Sequence, residues 1–211
     1  MNAAPRYHGF TLIEVLVALA VLALMATLAW RGLDGMLRAR EQLGRYGDEL
    51  SVLQSALAQW QDDLDSIQGQ PELPGLDWNG RVLRLVRHDQ DHDQAVLRVV
   101  SWSLLERKGA MYWVRTHSPP INNRSALLQA WQQAVAVANQ QAATQQVPLV
   151  PVASWQLYYF RGNAWSNPQS SANDTAQLPD GVRLVLNLSS GAALDGRLTL
   201  DWVRPGFGSG P

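Results

Sequence analysis

The chain has 211 residues, of which 46% are hydrophobic and 17% charged, with 17 basic and 18 acidic side chains. This composition suits one domain with an appendage, and it excludes a wholly disordered chain and a polytopic membrane protein. A formal net charge of −1 gives no electrostatic reason to bind nucleic acid. The absence of cysteine excludes a disulfide scaffold, a thiolate metal site and a cysteine nucleophile.

The first element in chain order is an apolar run from Phe10 to Trp30 whose only formal charge is Glu14. At about 1.5 Å per residue, a helix of this length spans the ~30 Å hydrocarbon core of a bilayer. A buried helix of a large soluble protein is the alternative, but the length and the terminal position favour a membrane helix. Arginines flank the run on both sides, so charge counting leaves its orientation undecided.

Glu14 is the most informative residue of this run, because a carboxylate costs about 2.5–3.5 kcal/mol at the centre of a bilayer. Such a residue needs a partner, unless it lies at headgroup depth and is solvated there. Glu14 follows Phe10 by one helical turn, which places both residues on one face of the helix.

The segment GFTLIE from Gly9 to Glu14, followed by the apolar run, resembles the processing site of type IV prepilins and type II secretion pseudopilins. The resemblance implies a leader of residues 1–9, cleavage after Gly9 by a prepilin peptidase, and N-methylation of the new terminus at Phe10. It also implies that residues 10–30 form a transmembrane and assembly helix, in which Glu14 neutralises the terminal amine of a neighbouring subunit. Each charge is expensive alone in a membrane, and pairing them fixes the register of the helices.

Helical periodicity continues from residue 31 to about residue 68 without membrane-like hydrophobicity. Apolar residues recur at alternating steps of three and four, at Leu43, Tyr46, Leu50, Leu53, Leu57, Trp60, Leu64 and Ile67. This pattern predicts an amphipathic helix that continues the membrane helix beyond the bilayer. A coiled coil is the alternative, but Gly44 and Gly47 disfavour it, and we expect the apolar stripe to dock on the protein's own sheet.

The remainder, residues 69–211, reads as a β-rich globular domain that begins with a Gly- and Pro-containing linker at 68–80. Alternating apolar residues predict strands at 81–86, 95–105, 110–116, 154–160, 182–188 and 197–203. Hairpins are predicted at the turn 106–109 and at the connection 189–196, and a second helix near 123–141. The predicted fold class is α+β, with a long N-terminal helix packed on a mainly antiparallel sheet.

A cluster of histidines and aspartates is the candidate metal site of the sequence, formed by His88, Asp89, Asp91, His92 and Asp93. These residue types ligate divalent ions, but adjacent ligands on one loop rarely surround a metal without help from elsewhere. A solvated hairpin loop is therefore the favoured interpretation. No nucleotide-binding loop, nucleophile elbow or zinc-protease motif occurs, so we expect neither enzymatic activity nor a cofactor.

The nine tryptophans divide by position. Those on predicted apolar faces are expected in the core: Trp60, Trp102, Trp113, Trp131, Trp155 and Trp202. Trp30 is expected at the membrane interface. Trp78 and Trp165 fall in predicted loops, where they either contact partners or cover the core.

Within the wider family, the segments 31–34 and 178–186 and the overall length resemble the J type of type II secretion minor pseudopilins. That resemblance implies a structural subunit at the tip of the periplasmic pseudopilus, which helps to initiate assembly for protein export across the outer membrane. It implies single-pass anchoring in the bacterial inner membrane with the C-terminal domain in the periplasm. The implied partners are the prepilin peptidase, the I and K minor pseudopilins and the major pseudopilin, with no nucleic acid.

Two alternatives remain open at the level of the sequence. One is a minor pilin that primes assembly of a type IV pilus, which would carry the same N-terminal signature. The other, from a different class, is a membrane-tethered periplasmic binding protein or enzyme whose N-terminus resembles a prepilin by chance.

Overall fold

A computed structural model describes residues 11–71, 73–91, 94–139, 147–170, 177–189 and 194–206. The first element is helix α1, Leu12–Asp65, which contains no proline that would interrupt its backbone hydrogen bonds. The chain divides into two compact units, Met1–Gly47 and Asp48–Pro211. The second unit therefore contains the last part of α1 together with all the strands.

The second unit is built on one antiparallel sheet with the strand order β1-β2-β3-β4-β5-β7-β8, and β6 pairs with β5. The strands are β1 Leu76–Trp78, β2 Leu83–Asp91, β3 Gln94–Arg107, β4 Ala110–His117, β5 Val147–Arg161, β6 Ala164–Ser166, β7 Gly181–Leu188 and β8 Gly196–Val203. Helix α2, Arg124–Asn139, connects β4 to β5. The predicted α+β class and the two predicted hairpins are confirmed.

The β3–β4 hairpin has a two-residue loop, because Arg107 pairs with Ala110. Lys108 and Gly109 both have positive φ angles, 53° and 77°. This combination is typical of the type I′ turn, whose twist matches that of the flanking strands.

Each helix buries one apolar side on the sheet, on opposite faces. The larger core lies under α1 and includes Leu53, Ala56, Trp60 and Leu64. The smaller core lies under α2 and includes Val86, Val99, Leu127 and Trp131. The expected docking of the apolar stripe on the sheet is thus confirmed from Leu53 onward, whereas Leu43 and Tyr46 remain exposed.

Several element bounds differ from the sequence expectation. β5 begins at Val147, although the two prolines Pro148 and Pro151 argue against a strand there. Strand β5 pairs with β4, and the register of this pairing shifts between Trp113 and Val114 of β4. The short strands β1 and β6 were not predicted, since runs of three residues carry too little periodicity.

Candidate assembly site and the helix–sheet junction

Thr11 and Glu14 form a reciprocal pair at the start of α1. The Thr11 backbone N–H and hydroxyl donate hydrogen bonds to Glu14 Oε2 at 2.9 and 2.7 Å. The Glu14 N–H donates in return to Thr11 Oγ1 at 3.4 Å. This is a capping box, which satisfies donors that the first helical turn leaves unpaired. The role of Thr11 was not predicted, although the Thr-x-x-Glu spacing signals it.

The helix that follows exposes its apolar side chains in every direction. It is long and apolar enough to cross a membrane, and its most apolar stretch has no buried residue. The exposed apolar residues of this stretch are Leu12, Ile13, Val15, Leu16, Val17, Leu19, Val21, Leu22, Leu24, Met25, Leu28 and Trp30. A helix that is hydrophobic all round requires apolar surroundings, either lipid or other helices. The expected single membrane anchor matches this property.

Gly9 and Phe10, the predicted cleavage and methylation residues, lie outside the described residues. Their role stays a prediction from the sequence. Glu14 is exposed at the beginning of α1, so a neighbouring molecule can reach its carboxylate.

At the other end of α1, the carboxylate of Asp63 is fully buried, with 0% exposure. Asp63 Oδ1 accepts hydrogen bonds from Arg87 of β2 at 2.5 Å and from Arg115 of β4 at 2.7 Å. Its Oδ2 accepts from Arg115 Nε and from Trp102 Nε1 of β3, both at 2.8 Å. The pair with Arg115 is bidentate, which adds geometric specificity to the strength of a charge-assisted bond.

Two further aspartates lie in the same last turn. Asp62 is about half exposed and accepts from Arg87 at 2.9 Å, and Asp65 accepts from Trp202 Nε1 of β8 at 2.7 Å. Burial disfavours the charged form of Arg87, but Asp63 and Asp62 outweigh this and raise the pKa of the guanidinium. Side chains of four strands therefore contact one helical turn.

This junction between helix and sheet was not predicted from the sequence. Carboxylates at a helix C-terminus oppose the helix dipole, and the last turn of α1 contains no basic residue. That local conflict was the available signal, because it indicates that positive charge must come from elsewhere in the fold.

The part of the histidine and aspartate cluster from His88 to Asp91 is not in a loop as predicted, because these residues continue strand β2 and Asp91 pairs with Gln94. Strand β3 supplies backbone partners for this polar segment, which local composition does not reveal. Asp89 binds Arg98 across the strands at 2.6 Å, while His88 points to solvent. His92, Asp93 and the side chain of Asp91 lie outside what the structure describes, and no metal-like cluster occurs among the described residues.

The six tryptophans expected in the core are all buried. Trp78 lies in β1 and packs edge-on against Trp155, with ring centroids 4.7 Å apart, so it covers the core. Trp165 lies in β6 and stacks under the Arg183 guanidinium at 4.2 Å. Neither residue lies in a loop, which corrects that part of the prediction.

Comparison with known proteins adds two findings to this geometry. Residues 5–30 match the family described as the prokaryotic N-terminal methylation motif. Over 195 residues the chain is 25% identical to the type II secretion system protein J of Escherichia coli, which covers 85% of this chain and 88% of the relative.

The long apolar N-terminal helix followed by an antiparallel sheet is consistent with a pseudopilin fold, and the motif is of the prepilin type. The similarity to protein J extends far beyond the motif, into the globular unit. Together these findings support a type II secretion pseudopilin of the J type, with the role of a minor pseudopilin.

Proposed function

We propose that the chain is a structural subunit at the tip of the periplasmic pseudopilus of a type II secretion system, where it helps to initiate assembly. The observation that carries the proposal is a prepilin-type motif that continues into an exposed apolar helix with Glu14 in its first turn. This role needs no catalytic site, and we propose a non-enzymatic subunit.

Processing is the first step of the proposal. The prepilin peptidase cleaves after Gly9 and methylates the new terminus at Phe10, which removes the leader with its Arg6 and places an amine one turn before Glu14. The match of residues 5–30 to the methylation motif supports this step.

Insertion into the filament is the second step. An ionised carboxylate has about four acceptor sites, so the two donors from Thr11 leave capacity for a third donor on Glu14. The terminal amine of a neighbouring subunit supplies that donor and neutralises the charge. Because both charges are costly in an apolar environment, their pairing favours insertion in one register.

The globular unit lies in the periplasm in this proposal, and the I and K minor pseudopilins and the major pseudopilin are its partners. The similarity to a type II secretion protein J supports this orientation and this set of partners.

The first experiment co-expresses the chain with a prepilin peptidase and determines the N-terminal peptide by mass spectrometry. We expect a peptide that begins at methylated Phe10. An intact Met1 would contradict the proposal and favour a tethered protein of another kind.

A second experiment separates type II secretion from a type IV pilus. In a strain that lacks the chain, we expect loss of exoprotein secretion with twitching motility retained. Loss of twitching with normal secretion would assign the chain to a pilus instead.

A further inference from the structure

Asp63 joins the last turn of α1 to three strands of the sheet through a carboxylate that is withdrawn from solvent. We propose that Asp63 is a positioning residue that fixes the axial register of the helix on the sheet. This goes beyond the stabilisation that any buried contact provides, since it concerns which of several packings the helix adopts.

The apolar contacts of α1 act on this register through side-chain size. The buried positions Leu53, Ala56, Trp60 and Leu64, with Leu57 beside them, repeat along the helix. A shift by one turn, about 5.4 Å, would place Trp60 at the buried position of Ala56 and Leu64 at that of Trp60, so the difference in side-chain volume already opposes the shift. Burial of apolar surface has no direction, so side-chain size alone discriminates between such packings.

The polar contacts differ because they have direction. After a one-turn shift, Gln59 or Ile67 would occupy the place of Asp63 opposite Arg87 and Arg115. Both guanidiniums would then lose their buried anion, and a buried charge without a partner is strongly unfavourable. The bidentate bond to Arg115 restricts the orientation of the carboxylate further.

Helix-end electrostatics reinforce the same conclusion. Asp62, Asp63 and Asp65 lie at the negative end of the helix dipole, where carboxylates are unfavourable unless cations approach. Arg87 and Arg115 supply these cations from the sheet. The last turn is therefore satisfied only in the docked register.

The consequence for the molecule rests on the proposed function. A filament subunit is positioned through the start of α1, whereas its globular unit holds the end of the same helix. When the register is fixed, the sheet always binds the same residue of α1. The number of residues between that residue and Glu14 is then constant.

The test measures the register directly by electron paramagnetic resonance on the full chain in detergent micelles. The chain has no cysteine, so spin labels at Ser55→Cys and Thr199→Cys, or at Ser55→Cys and Gln156→Cys, are site-specific. These positions are exposed on the helix, on β8 and on β5. We expect one narrow distance distribution for each pair in the otherwise unchanged chain.

Asp63→Asn is expected to broaden each distribution at least about twofold, or to add a population displaced by up to about 5 Å, one helical turn. The matched control is Asp48→Asn, which removes an exposed carboxylate of the same helix outside this ion cluster and should leave the distances unchanged. A narrow, unshifted distribution in Asp63→Asn overturns the proposal, as does equal broadening in the control.

A triple variant separates register from stability. In Asp63→Met, Arg87→Met and Arg115→Leu together, apolar side chains replace the ion cluster, which often preserves stability. We expect a melting temperature close to that of the parent with broadened distances. A triple variant with the parent's narrow distances overturns the proposal, and this second variant decides if Asp63→Asn does not fold. The isolated chain is measured, so the result is independent of processing and secretion.

Discussion

Residues 12–30 and 48–65 belong to one helix but differ in the surface they present. The first segment is apolar on all sides and entirely exposed within the chain. The second segment is apolar on one side, and that side is buried on the sheet. Helical periodicity therefore specifies the element, whereas the distribution of polar residues around the helix specifies what it packs against.

The two segments also differ in the exposure and the hydrogen-bond partners of one carboxylate in each, Glu14 and Asp63. Glu14 is exposed and bonded only to its own turn among the contacts described here, whereas Asp63 is buried and bonded to three strands. The first is available to another molecule and the second is used within the chain. Variants of the two segments test this contrast.

Glu14→Gln should abolish the assembly function while processing at Phe10 persists, because the amine of a neighbour loses its counter-ion. A loss of about 2.5 kcal/mol corresponds to roughly 60-fold weaker insertion. The measurement is exoprotein secretion in a complemented strain, with mass spectrometry of the N-terminus. Glu41→Gln, an exposed carboxylate of the same helix, is the control and should secrete normally. Normal secretion by Glu14→Gln would remove Glu14 from the mechanism.

Asp63→Ala should destabilise the globular unit by about 3–5 kcal/mol, because it leaves two guanidiniums without their buried anion. Urea unfolding followed by tryptophan fluorescence measures the effect, since Trp102 donates to the lost carboxylate. Asp62→Ala should cost about 1 kcal/mol or less, because its carboxylate is exposed. Equal losses in the two variants would show that burial does not distinguish these neighbours.

Leu64→Ala should cost about 2–5 kcal/mol, since it removes a fully buried side chain from the main core. Leu43→Ala is the matched control on the same helix, where the side chain is exposed, and it should change stability by about 0.5 kcal/mol or less. Thermal unfolding of both variants in detergent gives the comparison. A large loss in Leu43→Ala would indicate that its side chain is covered in solution.

The smallest expected effect is a pH dependence from Asp89. Burial raises its pKa, but hydrogen bonds from the Gln90 N–H and from Arg98 outweigh this and lower the pKa below its usual 3.8. The folded state therefore binds this proton less readily than the unfolded chain. The ionised Asp89 carboxylate therefore stabilises the folded state above about pH 4, and this stabilisation is lost as the pH falls through the lowered pKa of Asp89.

The measurement is the midpoint of urea unfolding between pH 3 and pH 6, compared with Asp89→Asn. We expect the variant to lose less than about 1 kcal/mol at pH 6 and to show a shallower decline on acidification. An identical pH profile in both proteins would exclude Asp89 as a contributor.

Much of the fold was accessible from sequence because its signals are local. The helix from residue 12, the turn at Lys108 and Gly109, and the buried tryptophans follow from periodicity, turn chemistry and side-chain size. The extension of β2 through His88 and of β5 back to Val147 was not accessible. Those segments are strands because a neighbouring strand supplies hydrogen bonds, which outweigh their own composition.

The sequence by itself pointed to the class of protein, since Gly9, Phe10, Glu14 and the apolar run are contiguous and the chemistry predicted for them depends on their spacing along the chain. Only the tertiary structure decided how the helix is held, because Asp63, Arg87, Trp102 and Arg115 lie up to 52 positions apart along the chain. No local pattern distinguishes Asp63 from Asp62. The sheet makes that distinction by burying one carboxylate among two guanidiniums and leaving the other in water.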